Sequence, residues 1–345
     1  MNLGELLHRT FDPTPLSPKD VRAMFEGLLD PAGSDVERAA ILVALASRTI
    51  DAQELAAFAS EMRRRSRRFP IPSGDQPVDL CGSGGAPRPS FNVSTVSAFV
   101  VAAAGAPVVK HGNRSARGPC GSSDLLEAMG LPVMQDVDFA RETYRRYRLA
   151  FLHAPLYHPA TRVVANARRL LGIPTVFNRL GPLSNPARVP FQVVGMPDRG
   201  EAERAAGALA RLGVSRGLSM TSSEGCDEFS PRRPTTAVVW NGPRRQRIRI
   251  RPEQWLEPED RRGDWGALEP GPAAEEAERL LAGGSGARRG SVLLTSGAAL
   301  WIAGRARSFA DGVKQARESL DDGSAEAIYL GMRAIAETRA SRRGA

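Results

Sequence analysis

The chain has 345 residues, 42% hydrophobic and 25% charged, which is the composition of a soluble globular protein long enough for two domains. Lysine and arginine total 47 against 38 acidic residues, and the resulting net charge of +9 suits anionic partners, either phosphorylated metabolites or nucleic acid. No apolar run is long enough to span a bilayer, the start lacks the apolar core of a secretory signal, and Cys81, Cys120 and Cys226 are too few and too scattered for a disulfide framework or a zinc site, so the expected location is cytoplasmic.

Residues 1–68 read as helices. Ser17-Pro18-Lys19-Asp20 is an N-cap followed by proline at the first helical position, and Val21, Met24, Phe25, Leu28 and Leu29 recur at helical spacing. A second helix is predicted over Asp35–Ser47, and a third is capped by Asp51. Phe69-Pro70-Ile71-Pro72 then marks a boundary. Beyond it short strands alternate with helices. Strands are predicted at Val78–Cys81, Pro107–Lys110, Leu149–His153, Gln192–Met196 and Gly217–Thr221. Helices are predicted at Ser94–Ala104, Ser122–Met129, Phe139–Tyr147, Pro159–Leu171 and Glu201–Leu212. Thr236–Trp240 and Arg247–Arg251 read as a hairpin around Asn241-Gly242, Pro252–Gly271 as irregular, and Ser291–Ala303 and Phe309–Leu320 as closing helices, with one more after Ser324. This alternation predicts an α/β domain with a mainly parallel sheet and crossover helices, whose ligands lie beyond the carboxyl ends of the strands.

Three stretches carry chemistry. Gly82-Ser83-Gly84-Gly85 lets backbone N–H groups converge on one anion, and Asn92, Ser94 and Thr95 then open a helix whose N-terminus favours negative charge. A simple turn with an N-cap would read the same way, and the stretch is neither a Walker loop nor a dinucleotide fingerprint. Lys110-His111-Gly112-Asn113-Arg114 follows an apolar strand, and Lys110 is one of only three lysines in an arginine-biased chain. Asp227-Glu228 follows another strand, and such a pair suits Mg²⁺, which takes carboxylate oxygens and keeps phosphate and water as further ligands. Arginine clusters at 63–68, 141–148 and 244–251 read as solvated faces.

Together these stretches resemble the anthranilate phosphoribosyltransferase family over most of the chain. GSGGA followed by NVST stands where the family has GTGGD and NxST; KHGNR is intact; GSSDLLEAMG, FLHAPLYHPA, ARRLLGIPTVFNRLGPLSNPA, CDEFS and LLTSGAALWIAG follow in family order. The resemblance implies a small all-α domain (residues 1–70, with roughly 158–190 returning to it) and a large α/β domain (71–157 and 191–345). It implies dimerisation through the helical domain and Mg²⁺-dependent transfer of phosphoribose from phosphoribosyl pyrophosphate to anthranilate. Carried over by position, Gly82, Ser83, Gly84, Gly85, Asn92, Ser94, Thr95, Lys110 and Ser122 bind the donor. His111, Asn113, His158 and Arg168 face the acceptor, with Arg168 reading its carboxylate, and Ser94, Asp227 and Glu228 hold one or two Mg²⁺ ions. No side chain is needed as a nucleophile.

This chain also departs from the family pattern. Ala86 stands where the loop carries aspartate, Pro119 where there is a lysine, Pro174 where an arginine often follows LGI, and Thr295 where there is an asparagine. Arg88 and Arg117 are the nearest cations that could compensate. The departures keep open a paralogue with another aromatic acceptor, and the arginine clusters a nucleic-acid-binding relative without catalysis; a nucleoside phosphorylase is disfavoured by KHGNR.

Overall fold

The computed structural model describes residues 3–12, 14–83, 86–115, 118–134 and 136–344. Four helices come first: α1 (Leu3–Phe11), α2 (Pro18–Leu29), α3 (Asp35–Ala46) and α4 (Ala52–Arg64). Their starts are written locally. Ser17, Ser34 and Asp51 each accept from a first-turn N–H, and Asp20, Glu37 and Glu54 reach back to close three capping boxes. The apolar stripe of α2 packs Phe25 against Phe58 of α4 at 5.7 Å between ring centroids. Phe177, far along the chain, joins them at 5.9 Å. Val164, Ala167, Val176, Leu180 and Leu183 share this core, so the segment after the third strand returns to the first four helices.

Seven strands form one sheet: β1 (Val78–Cys81), β2 (Val108–Gly112), β3 (Leu149–His153), β4 (Phe191–Gly195), β5 (Arg216–Ser222), β6 (Thr235–Asn241) and β7 (Arg244–Ile250). Their order is β3-β2-β1-β4-β5-β6-β7. The first five are parallel, and β6 and β7 add antiparallel through the predicted hairpin. The strand order reverses at β1, with β2 on one side and β4 on the other, which places a crevice at its carboxyl end. β1 to β4 are almost wholly buried because helices cover both faces. One face packs on α5 (Val93–Ala103) and the helices Ala287–Ile302 and Phe309–Asp321; the other packs on α4 and the helix Arg199–Arg211.

The structure departs from the sequence expectations at three places. The helix predicted over 159–171 is a 3-10 turn (Pro159–Val164) followed by a short α-helix (Ala165–Leu171). The stretch read as irregular holds two 3-10 turns, and an unpredicted helix runs from Pro270 to Leu281. Its Pro-Gly-Pro start looks like a breaker, but first-turn N–H groups have no intrahelical partner, so proline costs nothing there. The first arginine cluster is not simply a solvated face: Arg63 is buried, and its guanidinium donates to the carbonyls of Leu183 (2.8 Å) and Leu212 (3.1 Å). The basic residues at 244, 245 and 247 lie exposed on the edge strand β7, where charge discourages edge-to-edge pairing.

Candidate active site

One cavity of about 290 Å³ opens at the carboxyl ends of β1 and β2, with Asp227 and Glu228 reaching it from the segment after β5. It gathers Gly82, Ser83, Asn92, Ser94, Thr95, Lys110, His111, Asn113, Ser122, Arg168, Asp227 and Glu228, which come from widely separated parts of the chain. Gly84 and Gly85 lie outside the described residues, as does Arg117.

The floor is electrostatic. Lys110 is buried, and its ammonium donates to the Leu80 carbonyl (2.6 Å) and to Ser94 Oγ (3.0 Å). The Ser94 N–H, at the start of α5, donates to Glu228 Oε1 at 3.3 Å. The helix N-terminus thus holds a carboxylate already. Burial, with Asp227 beside it, pushes the Glu228 carboxyl up to about 8, so it keeps a proton near neutrality. Asp227 accepts from Ser83 Oγ at 2.8 Å. Gly82 is required here by space: a Cβ would lie 2.8 Å from Asp227 Oδ2. The donor set is hard oxygen, backed by a carboxyl that a cation would relieve of its proton, and it fits Mg²⁺.

The opposite wall is aromatic and less polar. Arg168 lies over the Phe177 ring at 5.2 Å, and no acidic side chain among the described residues forms an ion pair with it. Burial lowers its pKa from the usual value, which favours an anionic ligand as its partner. Asn178, Gly181 and Pro182 complete this wall. His111 Nδ1 lies 3.2 Å from the Gly181 carbonyl; Nδ1 donates there, which leaves Nε2 as an acceptor. Burial, then the neighbouring His158, hold the His111 imidazole well below its ordinary pKa.

Two assignments change. His158 does not line the cavity; it packs behind His111 with ring centroids 5.1 Å apart, because the 3-10 turn after it draws it beneath the wall. Ser122 reaches the cavity, but its Oγ is engaged with the backbone N–H (3.1 Å) and carbonyl (3.2 Å) of Asn113, so it also shapes the KHGNR turn. Ala86 lines the cavity with no side-chain oxygen to offer. Arg88, next to it, is exposed and faces Glu224 at 3.7 Å. Phe177, Asn178, Gly181, Pro182 and Asn185 lie within the stretch ARRLLGIPTVFNRLGPLSNPA that the resemblance puts along the acceptor pocket, though none was singled out by number; sequence reasoning missed Asp79 altogether. The signal for Asp79 was legible: an acid inside a four-residue buried strand needs dedicated partners.

A buried histidine pair makes stability pH-dependent. Burial lowers His158 to about 4 against an ordinary 6.5. The unfolded chain therefore binds the extra proton first, and stability present above pH 6.5 is lost as pH falls towards 4. At pH 5 the loss from His158 alone is about 2 kcal/mol. Denaturant midpoints at pH 7.5 and pH 5 should diverge in the wild type, and the gap should narrow in His158→Gln, with His111 supplying the part that remains.

A buried lysine and a carboxylate pair in a cavity at the carboxyl ends of a parallel sheet, beside a helical bundle, accord with a glycosyl-transferring enzyme, and the family comparison shows that class. The family described as "Glycosyl transferase family, helical bundle domain" matches residues 4–66, and "Glycosyl transferase family, a/b domain" matches residues 74–326. The chain is 38% identical to the anthranilate phosphoribosyltransferase of Herpetosiphon aurantiacus over 330 residues, covering 94% of this chain and 96% of that one. It is likewise 38% identical to that of Solibacter usitatus over 347 residues, covering 99% and 100%. The crystal structure of the Thermus thermophilus enzyme superposes with a TM-score of 0.87 at 34% identity, covering 96% and 99%. The Saccharomyces cerevisiae enzyme in complex with phosphoribosyl pyrophosphate and Mg shares the fold with a TM-score of 0.84 at 23% identity, covering 97% and 98%. The chain belongs to the anthranilate phosphoribosyltransferase family.

Proposed function

We propose that the enzyme transfers phosphoribose from phosphoribosyl pyrophosphate to the amine of anthranilate, releasing pyrophosphate. The observation that carries this reading is the cavity's division into an anion-holding floor and an aromatic wall with a spare guanidinium. The donor's phosphates lie on the glycine loop, with Lys110 beside them. Asp227, Glu228 and Ser94 would hold Mg²⁺. Bound there, the ion would supply positive charge to the departing diphosphate. With two carboxylates lining the cavity among the described residues, one protein-held ion is the natural count. The acceptor ring lies on the Phe177–Pro182 wall, Arg168 holds its carboxylate, and neutral His111 accepts from its amine. The transition state has oxocarbenium character at the ribosyl carbon. Its stabilisation comes from positioning and preorganised charge, with no side-chain nucleophile. Incubation with donor, Mg²⁺ and anthranilate should consume anthranilate fluorescence; turnover with a different aromatic acid alone would retain the class and reject the acceptor.

A charge-assisted bond to the acceptor sets the expected cost of losing it. Arg168→Ala should raise the acceptor KM by about ten- to a hundredfold and leave the donor KM within about twofold. Equal changes in both would remove Arg168 from the acceptor site.

The domain division proposed is 1–70 with 158–190 against the remainder; the returning segment packs into the core of the first helices, and that core continues into Val194, Leu209 and Trp240 of the larger domain. A homodimer through the helical face is also proposed. Val36 is 79% exposed and Leu170 66%, and they lie on α3 and on the helix Ala165–Leu171 packed against it. Val36→Glu with Leu170→Glu should convert dimer to monomer in light scattering. No helix of the described residues is long and apolar enough to cross a membrane. A cytoplasmic enzyme is the reading that accords with its small, phosphorylated substrate. The nucleic-acid-binding alternative gains nothing from the arginine clusters, whose members are partly tied up: Arg63 on carbonyls, Arg141 on Asp138, Arg148 on Asp75 and Arg247 on Glu203.

A further inference from the structure

β1 pairs with β4 along its whole length, from Val78↔Phe191 to Cys81↔Val194, but with β2 only at Val78↔Val108. Beyond that residue side chains take over the seam. Asp79 is fully buried; its Oδ1 accepts from the His111 N–H (3.2 Å) and its Oδ2 from Asn185 Nδ2 (2.9 Å). Asn185 Nδ2 also donates to the Val109 carbonyl (2.8 Å), and its Oδ1 accepts from the Ala187 N–H (2.9 Å). The carbonyls just before Asn185 are held in turn: Gly181 by His111 Nδ1 (3.2 Å), Pro182 by Gln192 Nε2 (2.6 Å) and Leu183 by Arg63 Nε (2.8 Å). The segment 181–185 therefore hangs on polar side chains of the sheet and of α4, and it carries the cavity wall at Gly181 and Pro182.

We infer that Asp79, acting through Asn185 and the His111 backbone, is a positioning residue that sets the distance between the two walls of the acceptor pocket. The inference rests on the acceptor reading given above. Asp79 does not line the cavity, so it takes no part in the reaction itself; it fixes where His111 and the 181–185 segment stand relative to each other. Both of its oxygens accept. Asparagine keeps the shape but turns one acceptor into a donor, which then faces the His111 N–H or the Asn185 amide. The wall must shift to relieve that conflict. The donor side is less affected: the Lys110 ammonium senses the Asp79 charge, but its hydrogen bonds go to the Leu80 carbonyl and Ser94 Oγ and not to Asp79.

The test is steady-state kinetics of Asp79→Asn with donor and acceptor varied separately, alongside thermal unfolding. The acceptor KM should rise about tenfold, the size of a lost bond to a charged group, and at least fivefold more than the donor KM. If that variant does not fold, Asn185→Ser, which removes one of the two donations, is measured against the same criterion. Acceptor and donor KM moving together, or neither moving despite a lower Tm, would overturn the inference and leave Asp79 a purely structural residue. Failure of the underlying reading is distinguishable: the wild type itself would not turn over anthranilate.

Discussion

Asp227→Asn together with Glu228→Gln should abolish Mg²⁺-dependent donor binding and lower kcat/KM by roughly a thousandfold, the expected scale for removing metal-centred charge stabilisation from a leaving group. The argument is geometric. The two carboxyls sit side by side and are both buried, with the Ser94 N–H donating to Glu228 and Lys110 held on the Ser94 hydroxyl. Glu228 holds its proton up to about pH 8, so ion binding at neutral pH must release it. Calorimetry in the presence of donor should show one ion per chain with proton release in the wild type, and no ion in the double variant. The amides are isosteric, and they remove the repulsion between two adjacent buried carboxyls while weakening the balance of charge around buried Lys110, so Tm should change little. Retained Mg²⁺ stoichiometry in the variant would place the ion elsewhere.

Among the described glycines, Gly195 leaves the least room for a methyl group, so Gly195→Ala should be strongly damaging. A Cβ there would lie 1.6 Å from the backbone oxygen of Asp227 and 2.5 Å from its carbonyl carbon. Neither atom can rotate away, since β4 is a central strand paired on both sides. The strand or the carboxylate segment must move. The expected cost is at least about 3 kcal/mol, lowering Tm by roughly 5–10 °C, and Mg²⁺ affinity should fall with it because Asp227 is the residue displaced. Wild-type stability with full Mg²⁺ affinity would show that the Asp227 segment does not pack on β4 as described.

Much of the active site is legible in the amino-acid sequence because its parts are contiguous in the chain. A strand, a run of glycines and a helix start follow one another directly in the chain, so the stretch from Gly82 to Thr95 stands out as the proposed anion site. Lys110–Arg114 and Asp227-Glu228 also stand out, each at the end of an apolar strand. Caps, apolar periodicity and the Asn241-Gly242 turn likewise determined most elements by themselves, since those preferences act within a few residues.

What tertiary structure alone decided are the meetings between distant residues. Nothing local tells Arg63 that it will be buried against carbonyls 120 and 149 residues away, or Asp79 that its partner is an asparagine 106 residues on. His158 reads as a site residue by motif, yet a 3-10 turn sets it behind His111. Gly195 looks like any strand glycine until the Asp227 carbonyl lands on it. Short-range propensities fix which groups are chemically available. Which of them become partners depends on sheet order and on the return of residues 159–187 to the first helices, because only packing removes the water that would otherwise satisfy each buried polar group.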